Sequence, residues 1–296
     1  MTDRRVARFS PLALLLTAVL LLAAPATADV FHFQTDSPDG RMAAASRPPA
    51  AGTEIEAADD FVLTDPTTIQ HATFTGLVTG SGTIGEVTVE IYRVFPLDST
   101  NPPSGQVPTR TNSPSDIAFK SADSAASTLT FSTATLAPTF MASNSVLNGI
   151  HPIPGQTTGG EGPVTGQEVM FTVTFNPPLV LPLDHYFFVP QVQVTGGQFY
   201  WLSAQKPISA AGTPFTGDLQ SWIRNAALDP DWLRIGTDIV GGATPPTFNA
   251  AFSLDGTTGF LPSVPALSTP GLLALALLLA GTALFRLRRR SAPAGC

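Results

Sequence analysis

Hydrophobic positions are arranged along this chain in two different ways. Near either end they run together, at residues 12–24 and 272–285. Between those runs they recur at every second position, in short stretches separated by Gly, Pro, Ser, Thr and Asp. Residues 86–95 (EVTVEIYRVF) show it best, with Val87, Val89 and Ile91 on one side and Glu86, Thr88 and Glu90 on the other. That is the period of a strand with two unlike faces. Residues 61–63, 69–78, 128–136, 168–175, 186–194, 198–202 and 247–254 read the same way, whereas 218–225 (DLQSWIRN) suggests a short helix. Eight or so strands with turn chemistry between them predict an all-β fold, a single jelly-roll-like β-sandwich over residues 57–256. No repeat of fixed period points to a propeller or solenoid.

Two stretches lack the strand period. Residues 29–56 carry Ser-Pro, Arg-Pro-Pro and Ala runs and read as a poorly ordered lead-in. Residues 96–127, with prolines at 96, 102, 103, 108 and 114, read as a long loop rather than a core element.

The terminal apolar runs carry addressing information. Residues 1–28 have the three parts of a secretory signal peptide: Arg4, Arg5 and Arg8, an apolar centre, and the small residues Ala26 and Ala28 ahead of a cleavage point. Signal peptidase is the expected partner, and the mature chain is expected to begin at Asp29. At the other end, residues 257–270 read as a linker, 271–287 as a transmembrane helix in contact with lipid, and 288–296 as a basic tail. The uncharged stretch 271–285 spans roughly 22 Å as a helix, short of a bilayer core of roughly 30 Å unless flanking arginines extend it. Arg286, Arg288, Arg289 and Arg290 place that tail in the cytoplasm and the body outside.

Charge sharpens the picture of the body. The whole chain of 296 residues has a formal net charge of −7, but residues 29–262 hold eight cations against twenty-one anions. A body of net −13 repels a phosphate backbone, which excludes nucleic acid as a partner. The only cysteine is Cys296, so the body has neither disulfide nor thiol chemistry. Acidic surface serves solubility first. Its sharper use is calcium binding, for which Asp59 and Asp60 are the candidate ligands, beside the pair Asp36 and Asp39. No other cofactor is implied.

Catalytic signatures are missing from the sequence. His32, His71, His151 and His185 match no zinc-hydrolase spacing, and no G-x-S-x-G elbow or phosphate-cradling loop is present. Ser203-Ala-Gln-Lys206 matches S-x-x-K, but Pro207 blocks the helix that motif needs. Asp184-His185 forms a triad only if a nucleophile converges on it. Glu86 and Glu90 sit roughly 13 Å apart on one strand, beyond both glycosidase spacings. The aromatic stretch is more suggestive. Tyr200, Trp201, Trp222 and Trp232 are candidate contacts for an extracellular polysaccharide, with Gln198, Gln220, Asn225, Asp229 and Asp231 as hydrogen-bonding neighbours. Burial in the core is the competing use of the same rings.

One segment resembles a known class. Val264, Pro265, Ala266, Leu267 and Ser268, then Gly271, an apolar run and an arginine cluster, resemble an exosortase-type C-terminal sorting signal (IPTL-CTERM/PEP-CTERM-like). The nearest variant reads Ile-Pro-Thr-Leu-Ser-x-Trp-Gly. Pro265, Leu267, Ser268 and Gly271 match it, while Val264, Ala266 and Pro270 depart from it. The resemblance implies a membrane sorting enzyme of exosortase type that cuts near the motif and passes the protein to the cell surface. Residues 58–63, Ile69 and 74–76 loosely resemble the opening of secreted bacterial β-sandwich domains that carry such tails. Together these readings predict a non-enzymatic, exported cell-surface or extracellular-matrix protein. A glycan-binding, calcium-assisted surface module is the alternative, and a secreted hydrolase the second alternative.

Overall fold

The computed structural model describes residues 29–102, 104–151, 153, 156–205 and 219–259, with Leu277, Leu279, Gly281 and Thr282. The chain divides into two units, Ala28–Gly259 and Met1–Thr27 with Phe260–Cys296. The second unit is described only at those last four residues, which are helical. Among the described residues no helix is long and apolar enough to cross a membrane.

The strands of the first unit are, in order, β1 (Asp29–Gln34), β2 (Pro38–Ala45), β3 (Ile55–Leu63), β4 (Thr67–Val78), β5 (Thr83–Arg93), β6 (Lys120–Asp123), β7 (Leu129–Ala142), β8 (Ser145–Val146), β9 (Val164–Leu181), β10 (Asp184–Thr195), β11 (Phe199–Ala204), β12 (Trp222–Asn225), β13 (Leu233–Arg234), β14 (Asn249–Ala250) and β15 (Phe252–Thr258). They form two sheets. In the first, β7 pairs with β9 and β9 with β4; the other edge of β4 is shared by β15 and β11. β15 leads on to β1, and β11 to β2 and β8, with β14 also on β11. The second sheet runs β13-β12-β3-β10-β5-β6 and is antiparallel throughout.

The alternation read from the sequence dictates how these sheets pack. Val87, Val89 and Ile91 of β5 are buried in the main core, as their shared phase requires. Rings from both sheets meet there: Phe33 with Phe61 at 6.2 Å, Phe74 with Phe188 at 6.3 Å, and Phe188 with Phe252 at 5.1 Å between centroids. The protein is thus an all-β, sandwich-like pair of layers. Close approach of neighbouring segments requires glycine at several positions, Gly76 among them. A Cβ on Gly76 of β4 would lie 2.3 Å from the Phe199 ring.

A second, smaller core lies on the opposite face of the six-stranded sheet. Successive residues of β10 alternate between the two: Tyr186 and Phe188 join the main core, Phe187 and Val189 the second. The second core also holds Ala58, Tyr92, Trp222 and Trp232. The proline-rich segment after β5 reaches it, since the indole N–H of Trp232 donates to the Ser115 carbonyl at 3.2 Å. That segment is tied down by ionic contacts. Arg110, itself buried, reaches Asp116 at 2.5 Å and Asp231 at 3.2 Å. The Asp116 carboxylate also accepts the backbone N–H groups of Thr100 and Asn101, both at 2.9 Å. Burial raises the pKa of that acid, but these hydrogen bonds and Arg110 outweigh it and hold the pKa below its ordinary value.

Four expectations are corrected. Part of the stretch 96–127 read as a loop is the strand β6, which pairs with β5, and its Ala122 is buried in the main core. The lead-in at 29–56 is ordered, because β1 pairs with β15, β2 with β11, and the Ala43–Ala45 run is buried under the sheet. The sandwich therefore begins before residue 57, and at its far end β15 runs to Thr258, into the stretch read as linker. The helix expected at 218–225 is β12: Trp222 enters the second core and Ile223 the main one, which is strand alternation compressed into four residues.

Candidate functional site

Beside β12 the two layers leave room for a cleft of about 240 Å³. Its walls come from segments far apart in sequence: Asn112 from the proline-rich segment, Gln220 and Trp222 at β12, Arg234 ending β13, and Thr247 and Asn249 at β14. Two buried carboxylates hold these walls in place. Asp59 accepts from Ser221 Oγ at 3.0 Å and from the Ala250 N–H at 2.7 Å. Asp60 accepts the Leu219 N–H at 2.9 Å and lies 2.6 Å from Nε2 of the fully buried His185. One pair of neighbours on β3 thereby positions both the 219–221 and 249–250 segments around Gln220.

Among the described residues the lining mixes polar groups with Leu219 and Trp222 and is nearly neutral. Arg234 donates from Nε and a terminal nitrogen to Asp238 at 3.0 and 2.6 Å, which cancels its charge, and its guanidinium lies 6.0 Å from the Trp222 ring centre. Asp238 sits in the π-helical turn Ile235–Val240. That turn packs so closely that a Cβ on Gly236 would stand 1.9 Å from the Pro246 carbonyl oxygen. Gln220 Oε1 accepts from Thr237 Oγ1 at 3.0 Å, which fixes the amide with its NH₂ away from that contact. Asn112 is held in the left-handed region at φ 62°. Among the described residues the Trp222 indole N–H is buried without a hydrogen-bond partner, a costly condition for a donor.

A second polar cluster lies on the same sheet. Arg224 forms two hydrogen bonds to Glu56 and donates to the Tyr92 hydroxyl at 2.9 Å, with its guanidinium 4.4 Å from the Trp232 ring centre. The Tyr92 oxygen is 2.7 Å from Glu56 and 3.0 Å from Glu90. One phenolic proton cannot serve two carboxylates, so one of them must bring its own. Burial first, and the Glu56 charge second, push the Glu90 carboxyl up to about 8, against the pull of the Tyr92 hydroxyl. Burial also raises the Tyr92 phenol. For Arg224 burial works to lower the pKa, but the Glu56 carboxylate overrides it and the net direction is up.

These arrangements relocate most residues singled out in the sequence. Tyr200, Trp201 and Trp232 are buried side chains of the two cores, not a sugar platform, and the Trp201 indole donates to the Ala251 carbonyl at 3.0 Å. Trp222 is buried as well, yet it lines the cleft together with Gln220. Calcium binding by Asp59 and Asp60 is also corrected, because every one of their carboxylate oxygens already meets a protein hydrogen-bonding group. Asp184 pairs with Arg93 at 2.6 Å while His185 pairs with Asp60, so the two do not work as one relay. His71 Nδ1 meets Thr174 Oγ1 at 3.1 Å, a hydrogen bond between strands. Ser203 Oγ contacts Asp39 and the Met42 N–H, and Lys206 lies outside the described residues. The partner of Glu90 is not Glu86 on its own strand but Glu56 on β3, a pairing with no local signal in sequence.

Asp29 opens β1. Ala26, Ala28, the sorting motif Val264–Gly271 and the arginines 286–290 lie outside the described residues. Comparison with known proteins yields no matching family model, no matching curated protein and no matching solved structure.

Proposed function

We propose that this chain is a non-enzymatic, exported protein of the cell surface or extracellular matrix, with a jelly-roll body delivered by a C-terminal sorting signal. The strand order supports the jelly-roll reading: β1-β15-β4-β9 on one layer and β3-β10-β5-β6 on the other interleave early and late strands as two Greek keys do. The observation that carries the export reading is the leader-like sequence at residues 1–28, with Arg4, Arg5 and Arg8, an apolar centre, and Ala26 and Ala28 ahead of a cleavage point. Asp29, the residue that would follow cleavage, pairs with Thr258 in the folded body. The titratable groups considered for chemistry support a structural role, since Asp59, Asp60, His185 and Asp184 each bind segments of the fold together.

The test is fractionation of cells producing the full chain, with sequencing of the mature N-terminus. The expected result is a mature form beginning at Asp29, accessible to external protease, with surface delivery lost when Pro265 and Leu267 are both changed to alanine. Retention of an uncleaved chain in the cytoplasm overturns the reading.

A further inference from the structure

We infer that the cleft beside β12 binds one neutral sugar ring, a hexopyranose, either free or as the end residue of a glycan. This inference is independent of the surface reading and would hold in any compartment. Three observations carry it. The first is size: about 240 Å³ is below the roughly 300 Å³ at which pockets for drug-sized ligands begin, and suits a single ring.

The second is the set of polar groups presented. The Asn112 amide can both donate and accept, the Gln220 NH₂ is left to donate once Oε1 is held by Thr237, and Thr247 adds a hydroxyl. Trp222 lines the same cleft, and its buried indole N–H has no partner among the described residues. A polyol offers donors and acceptors in that mixture; a purely apolar ligand does not.

The third is charge. Among the described residues no carboxylate lines the cleft, and the cation there, Arg234, is neutralised by Asp238. Sugar phosphates and uronates would meet no free cation among those residues, and the acidic body would repel them. The walls are also held before any ligand arrives, because the Asp59 and Asp60 contacts fix the 219–221 and 249–250 segments. Such a site spends little binding energy on ordering.

The experiment uses the full chain, purified in a detergent without a sugar headgroup. Saturation-transfer NMR and tryptophan fluorescence are recorded with glucose, galactose, mannose and N-acetylglucosamine separately, with glucuronate, and with oligosaccharides ending in each sugar. Saturable binding of at least one neutral sugar is expected, weakened about tenfold by Gln220→Ala or by Asn112→Gly, the loss of one well-made hydrogen bond. Trp201→Phe, in the main core, should leave it unchanged. Equal affinity for the free ring and the oligosaccharide assigns a free sugar; binding of the oligosaccharide alone assigns a glycan end. Absence of saturation for every neutral probe, preference for glucuronate, or affinity unchanged in both cleft variants overturns the inference.

Discussion

The Glu90 carboxyl makes the stability of this protein depend on pH in a direction opposite to that of most acidic groups. In the unfolded chain it ionises at its ordinary value of 4.5, whereas in the folded protein it holds its proton to about 8. Between those values the folded state binds more protons than the unfolded state, so stability falls as pH rises and levels off above the upper value. At about 1.36 kcal/mol per pH unit, the interval sets a ceiling near 5 kcal/mol. Residual solvent access and the proton shared with Glu56 lower that ceiling, and about 2–3 kcal/mol is the expected size. Glu90→Gln keeps the shape and a donor toward Tyr92 but cannot ionise. Urea unfolding of wild type and variant, followed by tryptophan fluorescence at pH 5, 7 and 9, isolates the effect because the other titrating groups cancel in the difference. The two should be close in stability at pH 5, and the variant should be more stable by about 2–3 kcal/mol at pH 9. A difference that does not change with pH, or a wild type that gains on the variant as pH rises, would refute the reasoning.

Two further predictions concern the supports of the cleft. Asp59→Ala strips the acceptor from Ser221 Oγ and the buried Ala250 N–H, and should cost about 2–4 kcal/mol in chemical denaturation; a cost below about 0.5 kcal/mol, the range of ordinary surface changes, would show that these contacts do not hold the wall. Gly236→Ala forces a methyl against the Pro246 carbonyl and should lower the thermal midpoint by several degrees for a cost of about 1–3 kcal/mol, whereas an unchanged midpoint would mean that the turn relaxes freely.

Strand centres were legible because their signal is local. Val87, Val89 and Ile91 share a phase within one short segment, and nothing outside it is needed to identify a buried face. β2 gave no such signal: Pro38-Asp-Gly-Arg-Met-Ala-Ala-Ala lacks β-branched and aromatic residues, and its alanines are buried because small side chains let neighbouring strands approach. The stretch from Pro96 to Ile117 has no strand period because it covers the second core, whereas β6 (Lys120–Asp123), within the residues read as loop, is a strand of the second sheet. The cleft was the least legible part. Gln220 and Trp222 stood out as an aromatic with an amide neighbour, but Asn112, Thr247 and Asn249 join them only through pairings with distant strands. The two aspartates at 59 and 60 read as metal ligands because a sequence shows the carboxylates but not the N–H groups that occupy them.

The register of β1 on β15 has a mechanical meaning. Asp29 stands opposite Thr258, so the first and last residues of the described strands lie side by side. Under the proposed anchoring, a pull on the tail enters the body at Thr258 and runs along β15. That strand is flanked by β1 on one side and β4 on the other. A load along its axis is therefore shared across two hydrogen-bonded ladders in shear, where bonds must fail together. A tether attached at an edge strand would instead peel them one at a time.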